Sequence, residues 1–164
     1  MKTDDMRHEL AQLGGGAHAL ATQILGNPDD AADAVHDALE KALRTPDSYD
    51  SRKGSLKPWF LRMVRNRCID LIRRRRPTDD RVEEIPDSAI GPDKAAELAD
   101  RDRGLKQALG SLESEQRQII VLRDYMDLSY AEIAKVLDIA PGTVMSRLHR
   151  ARVALGKTYR EYDE

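Results

Sequence analysis

Two sets of residues have the types and spacing to do chemistry, and in both the chemistry is recognition rather than catalysis. On a helix opened by Pro141, the side chains of Thr143, Ser146, His149 and Arg150 point away from an apolar stripe of Val144, Leu148, Ala151 and Leu155, with Arg147 at the flank. Hydroxyls and guanidinium groups near the start of a projecting helix can reach phosphates and major-groove base edges. The second set is Trp59, Met63, Asn66 and Asp70, which share one helical face at spacings i, i+4, i+7 and i+11. A large aromatic beside an amide and a carboxylate, surrounded by arginines, is a costly surface to leave in water. Two plainer alternatives stand beside these readings: a solvated helical hairpin for the first set, and packing of Trp59 under the preceding loop for the second.

Catalytic chemistry has little to work with. His8, His18, His36 and His149 fall at no metal-ligand spacing, and no nucleophile–base pair is evident. The run Gly14-Gly15-Gly16 lacks the strand and spacing of a phosphate loop. An enzyme is therefore not expected, nor a cofactor or a metal. Cys68 is the only cysteine, which rules out an intrachain disulfide. Its place in an apolar arc favours a buried structural thiol over a redox sensor.

The elements that must position these residues read as helices. Residues 6–25 are rich in Ala and Leu, with the glycine run as a weak point, and Gly26-Asn27-Pro28 breaks the chain before a helix over 29–43. A polar loop over 45–57 leads to a helix over 58–76, with Phe60, Leu61, Val64, Cys68, Leu71 and Ile72 in its core arc. Further on, an apolar helix around Leu98, Leu105, Ala108 and Leu109 ends at Gly110-Ser111, and a helix over 114–124 follows. Ser129-Tyr130-Ala131-Glu132 is a capping box, and Asp138-Ile139-Ala140 turns the chain into the Pro141 helix. Short helix, three-residue turn, second helix is the helix-turn-helix arrangement.

Composition agrees. The chain has 164 residues, about a third of them charged and only seven aromatic, which favours helical modules over a β-sandwich. The N-terminus is acidic and no apolar run reaches the roughly 20 residues of a spanning helix, so no leader and no membrane insertion are expected and the location reads as cytoplasmic. The net charge of −2 hides an uneven distribution. Residues 52–76 hold ten bases and one acid, 77–94 six acids and two bases, and 141–160 five bases and no acid. With Pro77, Pro86 and Pro92 punctuating it, the acidic strip reads as a linker. The expected fold is all-α: two small helical domains, 1–76 and 97–164, joined by an extended acidic linker over 77–96, the C-terminal domain containing the helix-turn-helix.

The motifs in this order resemble the sigma factors of bacterial RNA polymerase, specifically the two-domain extracytoplasmic-function (ECF) group. In the C-terminal part the matching stretches are Leu109-Gly110-Ser111-Leu112, Glu115-Gln116-Arg117, Leu122-Arg123-Asp124, Ser129 to Ala134, Gly142-Thr143-Val144, Ser146 to Arg152 and Leu155. In the N-terminal part they are Gly26 to Ala31, Asp33, Val35, Leu39, Trp59-Phe60-Leu61, Asn66, Asp70 and the arginine run. The resemblance implies a promoter-specific initiation factor with core RNA polymerase and promoter DNA as partners, and an anti-sigma factor as an expected regulator. Thr143, Ser146, Arg147, His149 and Arg150 would then read the minus-35 element. Trp59, Arg62, Arg65, Asn66, Asp70, Arg73 and Arg74 would hold the melted minus-10 element, Trp59, Asn66 and Asp70 forming a pocket with the loop from Tyr49 to Ser55. Asp33, His36, Asp37 and Glu40 would dock on the polymerase clamp, although an ordinary solvated helix explains these groups as well. Asp79, Asp80, Glu83 and Glu84 would thread the RNA path.

The chain departs from the family in places. Ala32 and His36 replace the usual glutamate and glutamine of the docking helix, Met145 stands where a lysine is usual, and Ala140 stands where a capping serine is common. A conventional helix-turn-helix regulator with an N-terminal sensor domain is the rival reading; it leaves the Trp59 helix and the arginine run without a role.

Overall fold

A computed structural model of the chain describes residues 3–75 and 103–163. The acidic strip, Arg76 and Leu98 lie outside the described residues. Those described form seven α-helices and no strand: α1 Thr3–Leu25, α2 Pro28–Arg44, α3 Leu56–Arg74, α4 Arg103–Ser111, α5 Ser114–Ile120, α6 Tyr130–Leu137 and α7 Pro141–Asp163.

The N-terminal half is a three-helix unit. Helix α1 runs unbroken through the glycine run, where the sequence predicts a weak point. Packing outweighs propensity there: Leu10, Ala17, Leu20, Ala21 and Ile24 are all buried against the other helices. A Cβ at Gly16 would meet the flexible end of the Met126 side chain from the other half, which would have to move aside. Gly26, with φ 75°, ends α1, and the Asn27 side chain accepts from the amides of Asp29 and Asp30 to start α2. Ala31, Ala34, Ala38 and Ala42 form the buried stripe of α2, small enough for close approach to α1 and α3. The loop before α3 contains two 3-10 turns, Pro46–Ser48 and Ser51–Lys53, and α3 begins at Leu56, two residues before the predicted start. Phe60, Leu61, Val64 and Cys68 are buried as predicted.

In the C-terminal half, α5 continues into a π turn, Val121–Tyr125, whose wide loop is closed by Met126 N–H donating to the Val121 carbonyl at 2.9 Å. The capping box at Ser129 and Glu132 forms in both directions. Asp138 adopts the left-handed conformation, φ 56°, which ends α6 and turns the chain toward Pro141. Val144, Leu148 and Ala151 of α7 are buried against α4, α5 and α6.

The two halves share one apolar cluster, with α3 lying along α6 and α1 meeting α5. Polar contacts cross the boundary. Lys57 donates to the Met126 carbonyl at 3.1 Å, Lys135 to the Lys53 carbonyl at 2.6 Å, and Arg65 to Gln118 Oε1 at 2.8 Å. Arg117, only 4% exposed, donates to the Leu112 carbonyl within its own half and to the Gln23 carbonyl of α1 at 3.3 Å. Among the described residues, no helix is long and apolar enough to cross a membrane.

Candidate nucleic-acid interface

The helix-turn-helix is braced from beneath by residues whose types alone do not announce a role. Arg123 of the π turn donates to the Leu128 carbonyl at 2.8 Å and lies over the Tyr130 ring, 5.0 Å from its centroid. Asp124, next in sequence, accepts two bonds from Arg152 of α7, at 2.5 and 3.2 Å. That pair holds the Arg152 guanidinium, whose pKa it raises further, and ties α7 to the π turn. The Leu122-Arg123-Asp124 motif thus supplies Arg123 to the start of α6 and Asp124 to α7.

With Val144, Leu148 and Ala151 turned inward, Ser146, Arg147, His149 and Arg150 are exposed and Thr143 is half-buried. Ser146 and Arg150 bond back onto their own helix, Ser146 Oγ to the Thr143 carbonyl at 3.1 Å and Arg150 Nε to the Ser146 carbonyl at 3.3 Å. Four of the five residues singled out on this helix are thus exposed, and Met145, 62% exposed, lies on the Ser146 and His149 side of the helix, away from Thr143 and Arg147.

On α3 the outcome is divided. Trp59, Arg62, Asn66 and Asp70 border an open concavity of about 820 Å³ between α2 and α3. Tyr49 reaches the Trp59 ring from the preceding loop, centroids 5.3 Å apart and planes inclined by 48°, so Trp59 is partly packed under that loop and partly open to the concavity. Tyr49 is itself anchored by its hydroxyl, which donates to the Gly54 carbonyl at 3.0 Å. The far wall is the end of α2, with Asp37, Glu40, Lys41 and Arg44. The loop's contribution is the Tyr49 ring behind Trp59.

Arg67 ties that concavity together. Its guanidinium spans Asp37 of α2 at 3.0 Å and Asp70 at 2.9 Å, and Arg74 adds a second cation to Asp70 at 3.3 Å. Arg73 is exposed, and Arg75 pairs with Asp30 at 3.1 Å. Arg65 points the other way. It is half-buried against the C-terminal half, where Gln118 accepts its Nε–H, and loss of solvent lowers its pKa from the ordinary guanidinium value. Arg62 also reaches across, to Asp138 at 3.5 Å. Arg65, Thr143, Arg147 and Arg150 consequently border a common cleft of about 360 Å³.

The four groups singled out on α2 are split between two surfaces. Asp37 and Glu40 face the Trp59 concavity, whereas Asp33 and His36 border, with Asp37 again, a neighbouring hollow of about 540 Å³ beside Arg74 and Arg75. His36 and Arg44 both lie 3.6 Å from Glu40, one turn apart on the helix surface.

Cys68 is buried in the core, and burial pushes its thiol up to about 12, which fits the structural reading. Among the described residues, no group of three or more His, Cys, Asp or Glu side chains could hold a metal ion.

Sequence reasoning missed Arg117 and Gln118. Both sit in the middle of a helix at positions the local pattern marks as polar, and both are buried, each with a hydrogen-bond partner in the other half. The family motif containing Arg117 was the available signal.

Comparison with known proteins extends these observations to most of the chain. Residues 10–78 match the family described as Sigma-70 region 2, and residues 102–155 match Sigma-70, region 4. The ECF RNA polymerase sigma factor SigW of Bacillus subtilis (strain 168) is 32% identical over 157 residues, covering 88% of this chain and 83% of the relative. The ECF RNA polymerase sigma factor SigM of Mycobacterium tuberculosis (strain H37Rv) is 35% identical over 144 residues, covering 85% and 69%. Among solved structures, the sigma factor RpoE in complex with the anti-sigma factor NepR from Bartonella quintana superposes with a TM-score of 0.71 at 25% identity, covering 95% of this chain and 97% of that one. CnrH in complex with the cytosolic domain of CnrY gives 0.67 at 25% identity, covering 95% and 88%. Two matched regions in the right order and these relatives agree: the chain belongs to the ECF RNA polymerase sigma factors, a family of non-enzymatic transcription initiation factors.

Proposed function

We propose that this sigma factor reads its promoter with two separate surfaces, α7 in the major groove of the minus-35 element and the α2–α3 concavity on the melted minus-10 element. The observation that carries the reading is the outer side of α7, where Ser146, Arg147, His149 and Arg150 are exposed and Thr143 is half-buried, on a helix that the Asp124–Arg152 pair ties to the π turn. A good bidentate base contact from such a helix is worth about 1–3 kcal/mol of discrimination. In the concavity, Trp59 supplies a stacking surface and Asn66 an amide for a base that has left the duplex. Arg62, Arg73 and Arg74 supply cations for phosphates, and Asp70, held by Arg67 and Arg74, shapes the floor.

The two surfaces require the halves to part. The elements lie about 25 base pairs apart, or about 85 Å at about 3.4 Å per step, whereas Arg65 and Arg147 here border one cleft. Covalent geometry allows the 27 residues from 76 to 102 to span about 90 Å when extended. In this reading the acidic residues Asp79, Asp80, Glu83 and Glu84, on the 77–96 linker between domains 1–76 and 97–164, take the RNA path. Parting also frees Arg65 for the minus-10 strand. Asp33, His36, Asp37 and Glu40 provide the docking surface for the polymerase clamp. Because the structurally similar sigma factor RpoE was solved with the anti-sigma factor NepR, a partner of that kind is also proposed.

Holoenzyme assembled with variant chains separates the roles. Arg147→Ala weakens binding to the minus-35 element about fivefold or more while core binding is unchanged, and Trp59→Ala reduces strand opening, read by permanganate reactivity of the minus-10 thymines. Equal loss of core binding in both variants would contradict the division of labour.

A further inference from the structure

The outer surface of α7 is not uniformly polar. Met145 is 62% exposed and Val153 52%, and they are the large apolar side chains left in water among the described residues. A single exposed apolar group is ordinary, but the position of Met145 is not. It lies in the second turn of the helix proposed to enter the major groove, next to Ser146 and one turn after Gly142. Gly142 and Ser146 are the smallest residues on that face, and a Cβ built on Gly142 would meet nothing within 4 Å. The helix backbone can therefore come close to a flat surface there, which brings an unbranched four-atom side chain beside it into contact with that surface. Its polar neighbours are partly committed, since Ser146 Oγ donates to the Thr143 carbonyl and Arg150 Nε to the Ser146 carbonyl.

The floor of the major groove offers such a side chain one apolar partner. Of the four bases, only thymine presents a methyl group there; the others show nitrogen and oxygen donors and acceptors. A flexible, polarizable thioether adapts to a methyl without demanding a fixed geometry. A charged side chain in its place would favour a phosphate or a guanine edge instead.

We propose that Met145 is a specificity-determining residue that reads the C5-methyl of a thymine in the minus-35 element. This rests on the reading of α7 as the minus-35 helix. It makes the element recognised by this chain contain a thymine at the position under Met145, where apolar contact replaces a hydrogen bond.

The test uses holoenzyme made with the full chain and minus-35 elements selected from a randomised duplex library. Each thymine of the selected element is replaced in turn by deoxyuridine, which removes the methyl and keeps every hydrogen-bonding group. At one thymine the replacement lowers wild-type affinity about fourfold, the value of one buried methyl group, and Met145→Ala abolishes that loss at the same position alone. Met145 is exposed and touches no core residue's place, so the variant folds, and its circular dichroism and core binding match the wild type. Selected elements without a thymine, or a deoxyuridine effect identical in wild type and Met145→Ala at every position, would overturn the proposal even when Arg147→Ala still weakens minus-35 binding. If Arg147→Ala leaves minus-35 binding intact as well, the reading of α7 falls and the proposal with it.

Discussion

Arg65 of α3 donates its Nε–H to Gln118 Oε1 of α5 at 2.8 Å, joining two residues 53 positions apart in the chain and one from each half. Gln118 is buried and its amide nitrogen donates in turn to Ser114 Oγ at 3.1 Å, so the acceptor is held in place. A hydrogen bond to a charged group contributes about 1.5–3 kcal/mol, which is enough to bias a balance between packed and parted halves by about tenfold or more. Replacing Gln118 by Ala leaves the Arg65 guanidinium half-buried without this acceptor. With dyes placed on α2 and α7, the variant should show a longer mean separation in the free protein than the wild type. An unchanged separation would mean that the shared apolar cluster alone sets the packing.

The N-terminus of α7 lacks a capping side chain. Ala140 precedes Pro141, and the Thr143 amide donates to the Ala140 carbonyl at 2.9 Å, with no side-chain oxygen at residue 140 to take a second amide. Ala140→Ser restores that acceptor and should stabilise the protein by about 0.5–2 kcal/mol, visible as a rise of a few degrees in Tm. Ala140 is exposed, so the added hydroxyl meets no packing obstacle. A Tm unchanged or lowered would show that Pro141 already satisfies this end.

Cys68 is buried and should resist thiol reagents in the native protein, reacting at the rate of unfolding. Its thiol lies at about 12 when folded against 9.0 for an unperturbed one, so the folded state holds the proton more tightly. Stability that depends on the neutral thiol is present below about pH 9 and is lost as pH rises toward 12. Denaturant titrations between pH 8 and 10.5 should show a steeper fall for wild type than for Cys68→Ala. Parallel curves would place the alkaline loss elsewhere. Rapid labelling at neutral pH would contradict the burial of the thiol.

Much of this architecture could be read from local pattern. The capping box at Ser129 and Glu132 uses partners three residues apart, and the buried faces of α3 and α7 follow from helical periodicity alone. What could not be read depended on contacts between distant segments. The glycine run stays helical because α1 is packed on α2, α3 and the other half. Arg117 and Gln118 look like surface residues until α1 and α3 cover them. Arg65 shares its residue type with the arginines around it, yet its place on the helix turns it toward α5 rather than toward the Trp59 concavity. The Tyr49–Trp59 contact likewise needed the path of the intervening turns.

The packed halves also make the ionic strength of any binding assay informative. On the proposed reading Arg73 and Arg74 meet promoter phosphates, so holoenzyme variants lacking both should show a salt dependence of DNA binding reduced by about one to two in log–log slope. Titrations of promoter duplex against potassium chloride would measure it. A slope equal to wild type would remove these two residues from the DNA contact.

The most direct measurement for the account as a whole is in vitro transcription, with purified chain added to core RNA polymerase on a fragmented genomic library. Specific transcripts that start downstream of a shared pair of elements, and that vanish when either chain or core is omitted, are the result predicted. Active preparations that yield no specific transcript, or a chain that binds the same promoters alone and does not require core polymerase, would contradict it.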